Sequence, residues 1–181
     1  QESSKHERYC REQRELLRTL EELTAHERVM HELDNRKDHI MTVVGRYKGR
    51  IKGWDVVNES FLDDGSLRPS LWAAHIPDYI AKSFQWAHEA DPDALLFYND
   101  YGQDGKPQKM KAILSMVTDL KQRKIPIHGL GLQMHINIDS KKTEIEEVIK
   151  LSTQTDLAIH FSELDIAVNP KNNSEYIYDE L

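Results

Sequence analysis

Ile51-Lys-Gly-Trp-Asp-Val-Val-Asn-Glu59 is the stretch on which the reading of the fold turns. Its branched and aromatic residues make Ile51 to Asn58 a strand, and it closes on an amide and a carboxylate. Working outward toward the C-terminus, strands and amphipathic helices alternate. Pro77 to Ala90 reads as a helix with Ile80, Phe84 and Ala87 inward, and Ala94 to Asn99 as a strand. Pro107 to Arg123 is a helix with Met110, Ile113, Leu114, Val117 and Leu120 on its apolar side, followed by a strand over His128 to His135. Thr143 to Gln154 is a helix carrying Ile145, Val148 and Ile149, and Leu157 to Asp165 is a strand. Short links between such elements are the pattern of βα units on a parallel sheet, so the fold class is α/β.

Four strands cannot close an eightfold barrel, which takes about 250 residues and no fewer than about 200. An open doubly wound sheet and an incomplete barrel of TIM type, with about four of eight strands, both fit. Toward the N-terminus the chain is charged and helical. Leu16, Leu20, Leu23 and Met30 form a narrow stripe, and a second helix is expected from Glu32 to Tyr47, with Leu33, Ile40, Val43 and Val44 on one side and Gly49 at its end. The pair reads as surface helices or a coiled-coil-like hairpin. Residues 1–31 are taken as a charged helical segment without an assigned role, and 32–181 as the partial barrel domain.

The bulk numbers narrow the function classes. Hydrophobic residues make up 39% and charged residues 30% of 181, the balance of a globular domain. A net charge of −7, with no long basic block, points away from nucleic acid. Lys121 to Lys124 is a solvated helix end. No stretch approaches the roughly 18 apolar residues of a membrane span. The lone Cys10 can form no disulfide within the chain and no Cys-rich metal site, and the N-terminal residues lack the apolar core of a signal peptide. No cofactor or metal is expected.

Chemistry collects at the strand ends. The first closes on Asp55-Val-Val-Asn58-Glu59, the second on Tyr98-Asn99-Asp100-Tyr101, the third on Gln133-Met-His135, the fourth on Glu163-Leu-Asp165. Any one could serve only to satisfy loop backbone. Four together mark the carboxyl-end rim where parallel α/β folds build active sites. Glu163 and Asp165 are two apart and face one way, as do Gln133 and His135, while Met134 and Leu164 should point into the layer beneath the helices. His135 can therefore stand beside both carboxylates and keep one ionised. Two glutamates on such a rim suit glycoside hydrolysis, which needs one protonated and one charged carboxyl group.

The motifs are specific beyond this. Trp54-Asp-Val-Val-Asn-Glu59 resembles the acid/base motif of glycoside hydrolase family 10, the retaining xylanases. Phe97-Tyr-Asn-Asp-Tyr101, Gly129-Leu-Gly-Leu-Gln-Met-His135 and Ser162-Glu-Leu-Asp165 resemble that family's next three strands, in order, and Asp38 to Gly49 resembles the helix before them. The resemblance covers about residues 32–170. It implies a TIM barrel and endo-β-1,4-xylanase activity, with Glu59 as general acid/base and Glu163 as nucleophile. It further implies Asn58 on the sugar 2-hydroxyl, Gln133 near the nucleophile and sugar, His135 and Asp165 supporting Glu163, and Tyr101 lining the leaving-group side. Xylan or a xylo-oligosaccharide is the implied partner, with secreted or cell-surface location by analogy.

The family's first three strands and its last, Trp-bearing strand have no counterpart here. The chain alone is expected to be weak or inactive unless another chain or segment completes the barrel. A cellulase or mannanase of the same clan, or a non-catalytic carbohydrate-binding or assembly fragment, are the competing readings; Gln133-x-His135 and Glu163-Leu-Asp165 favour the xylanase. Trp54 and Trp86 read as packing aromatics, and Trp72 is open to either role. His75, His88, His128 and His160 lack metal-ligand spacing. The sequon Asn58-Glu-Ser60 is accidental, since a glycan there would block the site, and Asn172-Asn-Ser174 is a second.

Overall fold

The computed structural model describes residues 2–169, and gives the backbone alone for residues 2–13 and for Leu16, Leu20, Ala25 and His26. Cys10, the second sequon and half of the N-terminal leucine stripe thus lie outside the described side chains.

The N-terminal region is one helix, α1 (Glu2–Arg46), rather than the expected pair. No glycine or proline interrupts residues 2–44, and Asn35 bonds His31 one turn back at 3.0 Å instead of capping a new helix. The break comes at Gly49, whose φ of +70° suits glycine and whose N–H donates to Asp91 Oδ2 at 2.8 Å. Among the described side chains of α1, those that join the core are in its C-terminal part, buried Ile40 and Val44 and half-buried Leu33 and Met41.

The rest alternates as expected: β1 (Gly53–Asn58), the short α2 (Leu71–His75), α3 (Tyr79–Ala90), β2 (Leu95–Asp100), α4 (Pro107–Gln122), β3 (Gly129–Leu132), β4 (His135–Asn137), α5 (Lys142–Thr153), β5 (Ala158–Phe161) and β6 (Asp165–Ala167). β1, β2, β3 and β5 form one parallel sheet in that order. The third and fourth expected strands each break in two, and their distal halves pair as a separate parallel ribbon, β4 with β6, setting His135 opposite Asp165. Met134 marks the first break with a φ of +59°.

The two faces of the sheet differ. Leu96, Tyr98, Leu130 and Leu132 are fully buried in the layer that also holds Phe84 of α3 and Ile113, Val117 and Leu120 of α4. The other face carries Asp55, Phe97, Asn99 and His160, with the Phe97 and His160 rings stacked at 4.3 Å. β3 reads Gly-Leu-Gly-Leu because its neighbours need the space. A Cβ on Gly129 would sit 1.9 Å from the Phe97 ring, and one on Gly131 2.4 Å from Asn99 Oδ1. The missing side chains let Phe97 and Asn99 lie across the strand. Trp54 and Trp86 are half-buried packing aromatics, as expected. Met134 is buried, but Leu164 is 54% exposed, against expectation. β5 ends before it, so the strand alternation that would turn Leu164 inward does not continue.

Candidate active site

Glu59 follows β1 directly, and its backbone turns there with a φ of +54°, uncommon for a residue with a side chain. The turn is braced on each side. Its N–H donates to the Asn99 carbonyl at 2.9 Å, and its own carbonyl accepts from Arg68 Nε at 2.8 Å. Ser60 N–H then donates to the Tyr98 hydroxyl at 3.0 Å. Arg68 comes back to the site because the segment after Glu59 folds on itself, with Phe61 bridged to Leu67 and Arg68 N–H donating to Ser60 O at 2.7 Å.

Amides join the two glutamates. Gln133 Nε2 lies 3.0 Å from Glu59 Oε1 and 3.3 Å from Asn58 Oδ1. Asn99 Nδ2 donates to Asn58 Oδ1 at 3.1 Å and to Glu163 Oε1 at 2.9 Å, while Ser162 Oγ donates to Asn99 Oδ1 at 2.6 Å. Glu163 N–H in turn donates to Gln133 O at 3.2 Å, which ties the end of β5 to that of β3. Both carboxylates therefore sit on one rim, each fixed by an amide N–H of its own, Gln133 for Glu59 and Asn99 for Glu163, and Asn58 Oδ1 accepts from both amides.

His135 stands between Glu163 and Asp165 as the alternation argument required. Its Nδ1 is 2.7 Å from Asp165 Oδ2 and its Nε2 3.5 Å from Glu163 Oε2. The hydrogen bond to Asp165, chiefly, holds the imidazole above its ordinary pKa, and the charge of Glu163 adds to this. All three side chains remain about half open to solvent. Beneath them His160 Nε2 lies 3.6 Å from Asp55 Oδ1, and burial raises the Asp55 carboxyl despite that neighbour.

Tyr101 touches neither glutamate. Its hydroxyl accepts from Arg68 Nη2 at 3.0 Å, which raises the arginine pKa, and its ring covers the Lys109 ammonium at 3.5 Å. Trp72 faces a cavity on the Glu59 side, lined also by Asn58, Arg68 and Tyr79, and the Arg36 guanidinium lies 4.8 Å from its ring.

Asn58, Glu59, Gln133, His135, Glu163 and Asp165 are thus brought together, with Tyr101 one step removed through Arg68. The sequence reading gave no role to Asn99, Ser162, Arg68 or Lys109. The first could have been found, since it shares a strand face with Phe97 at the rim. Lys109 also left a signal: it occupies an inward position of α4, four residues before Ile113. Nothing in the sequence forecasts Arg68, which depends on the path of a loop. Among the described residues no group of acidic, His or Cys side chains could hold a metal ion, and no helix is long and apolar enough to cross a membrane.

The profile of glycosyl hydrolase family 10 matches residues 20–180. The chain belongs to this family. As a family-10 chain it is 45% identical over 152 residues to endo-1,4-beta-xylanase A of Caldicellulosiruptor sp. (strain Rt8B.4), covering 81% of this chain and 22% of that protein. It is 44% identical over 140 residues to an endo-1,4-beta-xylanase of Geobacillus stearothermophilus, covering 75% and 42%. Among solved structures, a family-10 endoxylanase from a sugarcane soil metagenome superposes with a TM-score of 0.70 at 47% identity, over 73% of this chain and 40% of the other. An intracellular xylanase from Thermoanaerobacterium saccharolyticum, in a mutant form complexed with xylotriose, gives 0.71 at 40% identity, over 76% and 45%. The family-10 chain spans less than half the length of each of these proteins. Its four-stranded sheet is an arc of a TIM barrel, which decides between the two architectures that strand counting left open.

Proposed function

We propose that the site hydrolyses internal β-1,4-xylosidic bonds of xylan with retention of configuration. The observation that carries this reading is the placement of Glu59 and Glu163 on one rim, joined through Gln133, Asn58 and Asn99. The xylanase names of the relatives support the substrate. Glu59 delivers the proton to the leaving oxygen. Glu163, held by Asn99 and His135, attacks the anomeric carbon to give a glycosyl-enzyme, and Glu59 then draws a proton from the water that releases it. Asn58 is assigned to the sugar 2-hydroxyl, Gln133 to the sugar beside the nucleophile, and Tyr101 with Arg68 to the leaving-group side.

The outer edges of β1 and β5 have no strand partner among the described residues. We therefore further propose that full activity needs strands from another chain or segment to complete the barrel, since remote sugar contacts supply much of the energy that drives the reaction. The place of action is proposed to be outside the cell, because polymeric xylan is not taken up whole; assaying xylanase activity in culture medium against cell lysate tests it.

Glu163→Gln is expected to abolish hydrolysis of xylo-oligosaccharides while leaving their binding within about threefold by calorimetry. Unchanged turnover in that variant would remove Glu163 from the mechanism. Unchanged configuration at the anomeric centre, followed by proton NMR of the first-formed product, tests retention.

A further inference from the structure

We propose that Lys109, on α4 and outside the reacting groups, is a positioning residue for Glu59. The inference rests on the assignment of Glu59 as acid/base. Lys109 and Asp100 are both fully buried, with the ammonium 2.7 Å from Asp100 Oδ1. Their approach lies outside the angles of a well-formed hydrogen bond, so the attraction is chiefly between charges.

From this pair two arms run to the same peptide group. One goes from Asp100 Oδ2 to the Tyr98 hydroxyl at 2.5 Å, and from there to Ser60 N–H. The other goes from the ammonium to the face of Tyr101, from its hydroxyl to Arg68, and from Arg68 Nε to the Glu59 carbonyl. The Glu59–Ser60 peptide is therefore gripped at both its oxygen and its N–H, at a residue whose φ is +54°. Tyr79 adds a further hold by donating to Ser60 Oγ at 2.9 Å.

The donor at Ser60 fixes the direction of the first arm. Ser60 N–H donates to the phenol oxygen, and the phenol O–H donates onward to Asp100 Oδ2. Asp100 Oδ1 accepts from the Tyr101 N–H at 2.8 Å and faces the ammonium. A buried charged group stripped of its partner is costly, so without Lys109 the Asp100 side chain shifts toward other partners or water. Its hold on the phenol, and with it the grip on Ser60, then loosens.

Lys109→Met is the direct test. Asp100→Asn/Lys109→Met removes both charges at once, and Tyr98→Phe removes the acceptor for Ser60 together with the phenol's bond to Asp100; the last keeps both members of the ion pair should the first variant fail to fold. Amide hydrogen exchange on the ligand-free protein is read first. Ser60 N–H is expected to exchange at least about tenfold faster in each variant that folds, with the His128 and Ala158 amides, which bond across the sheet, unchanged. Turnover is read on two aryl β-xylobiosides. With an unactivated leaving group, which needs the proton of Glu59, kcat/KM should fall about 10- to 100-fold. With a dinitrophenyl leaving group, which does not, kcat/KM should fall less than about threefold, while kcat falls with the water step that Glu59 also serves.

Unaltered Ser60 protection in Tyr98→Phe, or equal kcat/KM losses on the two substrates, would overturn the proposal. So would loosening of His128 and Ala158 together with Ser60. If the parent protein cleaves neither substrate, that outcome bears on the completeness of the barrel, and the exchange measurement alone decides whether Lys109 anchors this peptide.

Discussion

Two glycines decide more of the site than their size suggests. At Gly129 an added methyl would collide with the Phe97 ring, which is itself stacked on His160 and cannot swing away freely. Gly129→Ala should destabilise the fold by about 1–3 kcal/mol, read from the shift in urea midpoint at constant slope. At Gly131 the collision is with Asn99 Oδ1 and His160 Nε2, so the same substitution should displace the amide that holds Glu163. Gly131→Ala is thus expected to lower kcat at least about tenfold while costing less stability than Gly129→Ala; the opposite ranking would show that Asn99 does not matter to the nucleophile. His135 gives a pH signature. Its folded pKa is raised by Asp165, so the stabilisation from that pair is complete below the unfolded value of about 6.5 and is lost as pH rises through the folded value. In Asp165→Asn the His135 pKa, followed by NMR, should drop toward 6.5. The urea midpoint should differ from the parent's near pH 5.5 and converge with it near pH 9.

Among the elements, the strands and outer helices were legible in the sequence because one periodicity governs each. α3, α4 and α5 bury Phe84, Ala87, Met110, Ile113, Val117, Leu120 and Val148 as three- and four-residue spacing selects and half-bury Ile80, Leu114, Ile145 and Ile149, and their bounds lie within about two residues of those expected. Glu59, Glu163, His135 and Asp165 were legible for the same reason, standing where strands run out. Three things were not. The joint near residue 31 was inferred from two separate apolar stripes, whereas a helix ends only where the backbone must turn, and that is at Gly49. The splitting of the third strand goes with the positive φ at Met134, which no residue type announced. Arg68 reaches Glu59 only through the fold of its loop. α1 also behaves as two unequal parts. Of its described side chains before Leu33, all but Val29 and Glu32 are exposed, while Leu33, Ile40, Met41 and Val44 join the core. Removal of residues 1–28 should therefore shift the unfolding free energy by less than about 1 kcal/mol, whereas Ile40→Ala should cost about 2 kcal/mol or more. A large loss on truncation, by thermal or urea unfolding, would mean the distal helix packs on something.

For the molecule as a whole, the sheet has two edges where a closed barrel has none. Next to the β5 edge lie Phe161, Leu164, Ile166 and Val168, all 45–56% exposed. Exposed strand edges flanked by apolar side chains invite pairing between copies. Concentration-dependent association is expected in light scattering, and Ile166→Lys should reduce it while moving the unfolding free energy by no more than about 0.5 kcal/mol. The interior of the same molecule offers a contrast. Lys141 and Lys142 stand 72% and 87% open to solvent, while the Lys109 amine is wholly enclosed. An acylating reagent will label the first two at once and reach Lys109 only when the layer between α4 and the sheet parts. The lag between those labels, read by mass spectrometry, is a clock for the breathing of the protein beneath its site, and it runs without any sugar being cut.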